Sequence, residues 1–220
     1  MPASQPIVIA TGNPHKVEEL RAILGGLGVP CIGLRELEST RSTTFIEPEE
    51  HGSTFETNAA IKALSYAQQT GLACLADDSG LEIDALGGRP GVISSHYCTD
   101  GRETGMTRAE RDAANNARVL GELQGVPLER RGARFVCVMV LANPSGVLLR
   151  VRGTFEGRIG ELGEVPRGSH GFGYDPIFLV APEYLQTSAE LAQEDKNRLS
   201  HRGAAARALA AALEERSLRG

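Results

Sequence analysis

The stretch PIVIATGNPHKVEELRAILGG (residues 6–26) indicates the fold class, because it reads as a strand, a polar loop and a helix in that order. Its first part, Pro6 to Ala10, is a short apolar run typical of a buried strand. Asn13 and Pro14 are residue types favoured at a helix N-cap and at the first helical position. Open α/β sheets bind ligands at the carboxyl ends of their strands. We therefore predict an α/β fold with a candidate site in this loop.

The rest of the chain adds strands and helices to this beginning. Residues 35–52 are polar and are predicted to be irregular, and Asp77 to Gly80 is predicted to be a loop between two strands. Helices are predicted to begin after Thr54, Thr107, Thr187 and Ser200. Strands are predicted at Val29–Leu34, Leu72–Ala76, Leu81–Ala85, Arg134–Ala142, Val147–Thr154 and Ile177–Val180. A parallel-type beginning and a later hairpin together predict a mixed sheet.

Length and composition restrict the class of protein. At 220 residues the chain is long enough for one large domain or two small ones. Its 41% hydrophobic and 23% charged residues are ordinary for a soluble globular protein, which excludes disorder and coiled coil as its overall class. The longest uncharged apolar stretch, residues 135–144, is much shorter than the ~20 residues that a membrane-spanning helix needs. Because no basic and then apolar leader opens the chain, we predict a cytoplasmic protein.

Cysteine spacing and net charge exclude further classes. The four cysteines lie far apart, without a C-x-x-C pair, so we expect no zinc site and no disulfide framework. The net charge of −5 provides no general positive field, so we predict no nucleic-acid partner. An anionic ligand would need a local cluster of Lys and Arg side chains.

The segment Thr11 to Lys16 is the first of four polar, glycine-containing candidate sites. A helix N-terminus with free N–H groups, a glycine and a lysine is suited to phosphate oxygens. The alternative is a capped helix with a surface lysine. The chain has no G-x-x-x-x-G-K-[ST] motif, which excludes a Walker-type NTPase.

The second candidate site is Asp77-Asp78-Ser79-Gly80. Two adjacent carboxylates repel each other and need a cation or a proton nearby. Oxygen ligands suit Mg²⁺ or Mn²⁺, and a carboxylate beside the metal can take a proton from an attacking water. Glu49 or Glu50 could supply a third carboxylate. The alternatives are a tight turn for the aspartates and a solvated segment for the glutamates.

The third and fourth candidate sites lie near the C-terminus. Gly171 to Asp175 holds a Phe and a Tyr between glycines, so it could form an aromatic shelf for a base; the alternative is a loop whose Phe fills a small core. Lys196 precedes His201 and Arg202, whose placement in the first turn of a helix opposes the helix dipole and so favours an anionic or carbonyl ligand. Lys62, within a predicted helix, is expected at the surface.

Six segments together resemble the inosine/xanthosine triphosphate pyrophosphatase family, and they follow the family's order over nearly the whole chain. They are IVIATGNPHKVEEL (Ile7–Leu20), EEHGSTFETNAAIKA (Glu49–Ala63), ADDSGLEIDALGGRPGV (Ala76–Val92), ARFVCVMV (Ala133–Val140), GFGYDPIF (Gly171–Phe178) and SHRGAA (Ser200–Ala205). Two positions depart from the family pattern. Thr57 stands where an acid is frequent, and His96 stands where bacterial relatives usually have arginine.

The resemblance implies a role for each matching position. Asp78 would be the proton acceptor and would position Mg²⁺ together with Glu50, and Asp77 would belong to the same carboxylate cluster. Ser79 would touch the substrate. The phosphate tail would be bound by Thr11, Gly12, Asn13, Pro14, His15, Lys16 and Lys62. The base and sugar would be bound by Phe172, Gly173, Tyr174, Asp175, Lys196, His201 and Arg202.

The resemblance also implies a fold and an activity. The family fold is an elongated, two-lobed α/β structure around a long twisted mixed sheet, with the active site in a cleft between the lobes, so we expect one domain over residues 1–220. The family is usually homodimeric. Its activity is Mg²⁺-dependent hydrolysis of deaminated purine nucleoside triphosphates (ITP, dITP, XTP) to the monophosphate and pyrophosphate, which cleanses the nucleotide pool.

Two other functions remain open. One is a related pyrophosphatase for other modified nucleotides, since the same chemistry would serve a different pocket. The other is a non-catalytic nucleotide- or RNA-binding module, which the aromatic loop with its basic neighbours would fit. The adjacent aspartates argue against that module, because a groove for a nucleic-acid backbone is basic.

Overall fold

The computed structural model of the protein describes residues 6–219, apart from the side chains of His15 and of residues 217–219. Within that range a six-stranded mixed sheet is flanked by helices, which confirms the predicted α/β class. No helix in the described range combines the length and the apolar character needed to cross a membrane. In the described range Cys31, Cys74, Cys98 and Cys137 form no disulfide.

The sheet has the strand order β2-β1-β3-β4-β5-β6. Its strands are β1 (Ile7–Ile9), β2 (Cys31–Gly33), β3 (Cys74–Ile83), β4 (Gly132–Asn143), β5 (Gly146–Ile159) and β6 (Phe178–Val180). β1 is parallel to β2 and β3, whereas β5 is antiparallel to β6, so the sheet is mixed as predicted. Ile9 pairs with Leu75, so the loop after β1 begins level with Ala76 and Asp77 of β3.

Six helices lie in the described range: α1 (Pro14–Gly26), α2 (Leu34–Arg41), α3 (Phe55–Thr70), α4 (Arg108–Glu122), α5 (Gln193–Leu199) and α6 (His201–Arg219). α1 begins at Pro14, as predicted. The Thr54 hydroxyl accepts a hydrogen bond from the backbone N–H of Thr57 and so caps α3. Thr107 and Glu110 cap each other's backbone at the start of α4, as the capping-box pattern predicts.

The prediction that residues 35–52 are irregular is wrong for their first part, which forms α2. The Glu36 carboxylate accepts a hydrogen bond from the Gly33 N–H at 3.1 Å, and Leu34 and Leu37 are buried. A helix of two turns that buries only two leucines has too short an apolar pattern to be recognised in sequence. The sequence did not predict α5 either, because none of its residues is buried and it therefore has no apolar pattern.

The predicted loop at Asp77–Gly80 is also wrong, because β3 continues through it from Cys74 to Ile83. Sequence reasoning took two aspartates and a glycine for turn residues. In the structure both aspartates have charged or polar partners beside the strand, so the strand can continue. Successive side chains of a strand point to opposite faces of the sheet, and this determines what each aspartate contacts.

The chain divides into two compact units, each built from separate segments. Unit 1 comprises the described residues of Met1–Asp78, Cys137–Gly153 and His201–Gly220, and unit 2 comprises Ser79–Val136 and Thr154–Ser200. The core of unit 1 packs β1, β3 and β4 against α1 and α6, with Leu20, Met139 and Leu209 buried. The core of unit 2 includes three phenylalanines, and the ring centroids of Phe135 and Phe178 are 4.6 Å apart.

Candidate active site

The two faces of β3 carry two different groups of charged residues in unit 1. Asp77 points toward α1 and α6, where its carboxylate lies 2.9 Å from the Lys16 Nζ and 3.6 Å from the Arg202 Nε. Asp78 points toward α3, where its carboxylate accepts a hydrogen bond from the Asn58 amide at 3.3 Å and lies 3.7 Å from the Lys62 Nζ. The pleat of the strand therefore gives each of the adjacent aspartates its own cationic partners.

Asp77 is held ionised. Its side chain is fully buried, and burial alone would raise its pKa, but Lys16, Arg202 and Lys62 together lower the pKa well below its usual range. Arg202 also contacts Glu19 at 3.0 Å, and its guanidinium keeps a pKa above the usual value in spite of burial. Asp77 and Arg202, both buried, form an ion-pair network with the half-buried Lys16 and Glu19 on one face of the sheet.

Asp78 has the opposite electrostatic environment. Burial raises its pKa to about 6, while Lys62 and Lys16 oppose the rise and Glu50 and Asp77 add to it. A carboxylate with a pKa near neutrality can both accept and release a proton at working pH. Of the two aspartates, Asp78 has the proton affinity of a general base.

Lys62 is buried, which contradicts its predicted surface position. It is 7% exposed, and its Nζ lies 2.8 Å from Glu50 and 3.7 Å from Asp78. Burial would lower the pKa of this ammonium, but Asp78, Asp77 and Glu50 outweigh burial and raise it. Lys62 therefore stays charged between the two carboxylates.

Sequence reasoning missed two residues of these groups, Asn58 and Glu19. Asn58 accepts a hydrogen bond from the Gly52 N–H at 2.8 Å while its amide donates to Asp78, so it ties the segment after Glu50 to β3. Its signal in the sequence was its position four residues before Lys62, on a helix face that is mostly apolar. Glu19 carried no such signal, since its partner Arg202 is 183 residues away.

The loop after β1 leads into the N-terminus of α1. The Asn13 N–H donates to the Thr11 hydroxyl at 3.3 Å, Gly12 and Pro14 are exposed, and Lys16 extends to Asp77. The first turn of α1 contains no acidic residue, so the positive end of its dipole is not neutralised. The backbone of His15 lies in this first turn, and its side chain is outside the described residues.

The first turn of α6 places His201 and Arg202 in unit 1. Both are buried, and Arg202 belongs to the network around Asp77. Gly153 of β5 makes this placement possible, because a Cβ there would clash with the backbone of His201 and Ala205. The start of α6 is thus packed against β5 through a glycine.

The segment Gly171–Asp175 lies in unit 2 and is organised around Asp175. The buried Asp175 carboxylate accepts hydrogen bonds from the Phe172 N–H at 2.8 Å, the Ser188 hydroxyl at 2.7 Å and the Lys196 Nζ at 2.5 Å. Gly171, with φ +80°, faces this ion pair so closely that a Cβ would clash with both charged groups. Asp175 and Lys196 thus hold the loop closed on itself.

The two aromatic residues of this loop differ in environment. Phe172 is half-buried, with the Arg108 guanidinium 4.3 Å from its ring centroid. Tyr174 is buried in the core, where its hydroxyl donates to the Ser94 carbonyl at 2.6 Å. Only Phe172 of the pair therefore has the exposure of an aromatic shelf. His96 contacts Ser95 and Glu103, and Ser79 is a half-buried residue of β3.

The donor chemistry of unit 1 fits a hard divalent cation. The Glu50 and Asp78 carboxylates already share one cation, the Lys62 ammonium. Mg²⁺ is commonly held by one or two carboxylates together with substrate phosphates. Among the described residues no group of three His, Cys, Asp or Glu side chains is arranged to hold a metal, which agrees with Asp77 and Asp78 pointing to opposite faces. The fit is therefore to a two-carboxylate site.

Comparison with known proteins gives a consistent result. Relatives named dITP/XTP pyrophosphatase include one from Exiguobacterium sibiricum, 47% identical over 94% of this chain and 96% of that protein, and one from Frankia alni, 48% identical over 95% and 97%. Solved structures include a HAM1 protein from Coxiella burnetii, with a TM-score of 0.78 and 42% identity over 96% of this chain and 98% of that one. The Staphylococcus aureus Ham1 protein matches with a TM-score of 0.77 and 35% identity over 96% and 100%. The model of the Ham1 family matches residues 7–212, and the chain belongs to this family.

Proposed function

We propose that the protein is a Mg²⁺-dependent hydrolase that converts deaminated purine nucleoside triphosphates, dITP, ITP and XTP, to the monophosphate and pyrophosphate. The observation that carries the proposal is the buried Asp78, whose pKa is raised to about 6 beside Glu50 and Lys62. The names of the relatives support the reaction and the substrate class.

Glu50 and Asp78 are the proposed metal-binding residues. Mg²⁺ held there would neutralise phosphate charge and act as a Lewis acid on the reacting phosphoryl group. Asp77 faces the other side of β3 from these two residues, and its contacts with Lys16 and Arg202 suit it to holding those cations in place. Lys62 keeps the two metal-binding carboxylates together when no metal is bound.

Asp78 is the proposed proton acceptor. A water that attacks the α-phosphorus must lose a proton, and a carboxylate with a pKa near 6 is ionised at neutral pH yet basic enough to take it. Attack at the α-phosphorus breaks the bond to the bridging oxygen of the β-phosphate, so pyrophosphate leaves as one unit. Lys16 and Lys62 lie on either side of the aspartate pair and are the cations proposed for the departing charge.

The phosphate tail is assigned to the loop Thr11–Lys16 and the start of α1. Its exposed Gly12 and unneutralised helix N-terminus suit an anion. The acidic chain, with a net charge of −5, attracts no anion by its overall field, so these local groups must supply the attraction.

We assign the base to the half-buried Phe172. The other residues of its loop, and Lys196, His201 and Arg202 outside that loop, remain predicted contacts of the base and sugar. Hypoxanthine and xanthine present a keto oxygen at the position where adenine presents an amino group. A donor from His201 or Arg202 would be left unpaired by adenine, and sites built on such a bond reject the wrong partner by ~10⁴-fold or more. An unchanged ITP:ATP preference in Arg202→Ala would remove Arg202 from this role.

A homodimer and a cytoplasmic location are further parts of the proposal, and the homodimer rests on the resemblance to the family. They are checked by sedimentation of the purified protein and by fractionation of cells that produce it.

A substrate panel tests the proposed function. We expect pyrophosphate release from XTP, ITP and dITP with Mg²⁺, much less from GTP, ATP and dTTP, and none with EDTA. A preference for a modified pyrimidine triphosphate would support a related pyrophosphatase instead. Nucleotide or RNA binding without any product would support a non-catalytic module and contradict the proposal.

A further inference from the structure

One face of α4 is directed at the Gly171–Asp175 loop within unit 2. Arg108, Asp112 and Asn116 are spaced four residues apart, so they lie in one row along the helix. All three are half-buried polar residues, and each contacts Phe172 or Gly173. The residues of α4 that pack into the core of unit 2, such as Val119 and Leu120, do not belong to this row. We call these three residues the α4 row.

Asp112 and Asn116 bind both backbone polar groups of Gly173, its N–H and its carbonyl. The Gly173 N–H donates to the Asp112 carboxylate at 2.9 Å, and the Gly173 carbonyl accepts from the Asn116 amide at 3.1 Å. Gly173 makes both hydrogen bonds with a φ of +64°, a conformation that residues with a side chain rarely adopt. The orientation of both peptides next to Phe172 is therefore set by α4.

Arg108 orients the ring itself. Its guanidinium lies 4.3 Å from the Phe172 ring centroid, and its Nε lies 3.8 Å from Asp112. A guanidinium over a ring face is attracted by the ring quadrupole. The Asp175–Lys196 pair holds the base of the loop through the Phe172 N–H, whereas Arg108 contacts the ring.

We propose that the α4 row is a positioning element that presents the Phe172 ring to the purine base. The proposal deepens the proposed function and rests on it, because the base is the ligand that Phe172 is assigned. Arg108, Asp112 and Asn116 are positioning residues: they act through Phe172 and Gly173, and the proton transfer at Asp78 does not involve them.

A fluorescent reporter at the ring tests the positioning without any catalysis. The chain contains no Trp, so Phe172→Trp introduces a single indole whose fluorescence anisotropy reports the mobility of this side chain. In that background Asp112→Ala, Asn116→Ala and Arg108→Ala are each expected to lower the anisotropy. Arg118→Ala is the matched control, since Arg118 is on the same helix but lies 4.2 Å from the centroid of another ring, Tyr97. It should leave the anisotropy unchanged.

Kinetics with Phe172 intact test the link to the base. Stacking on an aromatic residue is worth ~1–3 kcal/mol per base and 1.4 kcal/mol is tenfold in affinity, so a displaced ring should raise the KM for XTP by roughly tenfold. The kcat should change less than about twofold, because the row does not touch the reacting groups. Asp112→Asn keeps an acceptor oxygen for the Gly173 N–H and should restore most of the wild-type KM.

The outcomes separate the two proposals. If the wild type releases no pyrophosphate from any nucleotide, the proposed function fails, and the anisotropy alone decides whether the row positions the ring. If the wild type is active but the variants of the α4 row keep both the wild-type KM and the anisotropy of the reporter, the proposal that the row positions the ring is overturned. Equal losses of kcat and thermal stability in Asp112→Ala and Asp112→Asn, without a change in KM, would also overturn it by showing a merely structural role.

Discussion

Adjacent aspartates in a buried strand would repel each other if their surroundings were alike. Here Asp77 faces Lys16 and Arg202, whereas Asp78 faces Lys62 and Glu50. The same residue type thus acquires a pKa below the usual range at one position and about 6 at the next. Because their pKa values differ in this way, the two carboxylates suit different roles. Asp77 suits the role of a fixed negative charge, and Asp78 suits that of a proton acceptor.

Asp78→Asn should stabilise the metal-free protein at neutral and higher pH. The folded state raises the pKa of Asp78 from 3.8 to about 6, so it binds the proton more tightly than the unfolded state does. Stability therefore falls as the pH rises from about 4 to about 6, and the loss persists above that range, at up to about 3 kcal/mol. The variant cannot ionise and escapes this loss.

The measurement is the free energy of unfolding of both proteins in EDTA at pH 4 and pH 8. We expect the variant to be the more stable protein at pH 8 and equal to the wild type near pH 4. An advantage of the wild type at pH 8 would show that its Asp78 carboxylate is not destabilised by burial.

Lys62→Met should destabilise the metal-free protein, because it leaves Glu50 and Asp78 without their shared cation. Breaking a buried pair in this way costs about 3–5 kcal/mol, although the partial exposure of Glu50 reduces the loss. Mg²⁺ should restore more stability to this variant than to the wild type. The control is Arg152→Met, which removes an exposed contact to Glu56 of the same helix and should cost about 0–1 kcal/mol. Equal unfolding free energies for both variants would show that Lys62 is not needed to compensate the Glu50 and Asp78 carboxylates.

Residue types alone predicted much of this chemistry, but not its geometry. The Asp77–Asp78 pair, the two glutamates Glu49 and Glu50, and Lys16 were candidates because oxygen ligands and cations suit a phosphate-metal site. Only the resemblance to the family selected Glu50 and added Lys62. Their grouping was not predictable, because the partners come from helices far apart in the sequence. Lys62 was misjudged because a lysine in an amphipathic pattern usually marks the solvent face, and only its three acidic neighbours make burial tolerable.

Among the secondary-structure elements, β5 and the start of α6 pack closely against each other at Gly153, and this contact positions His201 and Arg202. Gly153→Ala should therefore be strongly destabilising, since its Cβ would clash with the backbone of His201 and Ala205 and neither can move like a flexible side chain. We expect a loss of several kcal/mol of unfolding free energy and a fall in activity, by analogy with overpacked cores at ~1–3 kcal/mol or more.

The matched control is Gly121→Ala in α4. No atom lies within 4 Å of a Cβ at this position, and its φ is not positive. An alanine in a helix interior is favoured over glycine by about 0.5–1 kcal/mol, so this variant should be slightly stabilised. Thermal unfolding of the two variants decides the comparison, and equal melting temperatures would show that the β5–α6 contact is looser than described.

Elements with a strong local signal were predicted well. α1, α3 and α4 begin at their predicted caps, and the β4–β5 hairpin follows the predicted turn at Asn143–Gly146. Elements that depend on distant partners were not. β3 continues through Asp77 only because side chains from α1, α3 and α6 compensate its charges, and α2 relies on two leucines and one cap.

For the whole molecule, the proposed function requires a chain of net charge −5 to bind an anionic substrate, which calls for local positive charge and for the proposed Mg²⁺. Mg²⁺ should raise the melting temperature of the wild type, because a ligand at 100 times its Kd adds about 2.7 kcal/mol to the folded state. Glu50→Gln should reduce this shift. Glu49→Gln is the control: Glu49 is the neighbouring acid, whereas the ion pair with Lys62 is made by Glu50, so this replacement should leave the shift unchanged. Equal shifts in both variants would remove Glu50 from the metal site.

The most direct test of the account is the turnover of XTP and dITP by the wild type and by Asp78→Asn, with Mg²⁺, under conditions in which both are folded. We expect the wild type to form one pyrophosphate for each monophosphate, and the variant to lose at least ~100-fold in kcat, as is usual when a general base is removed. Turnover by Asp78→Asn within about twofold of the wild type, or release of orthophosphate in place of pyrophosphate, would contradict this expectation.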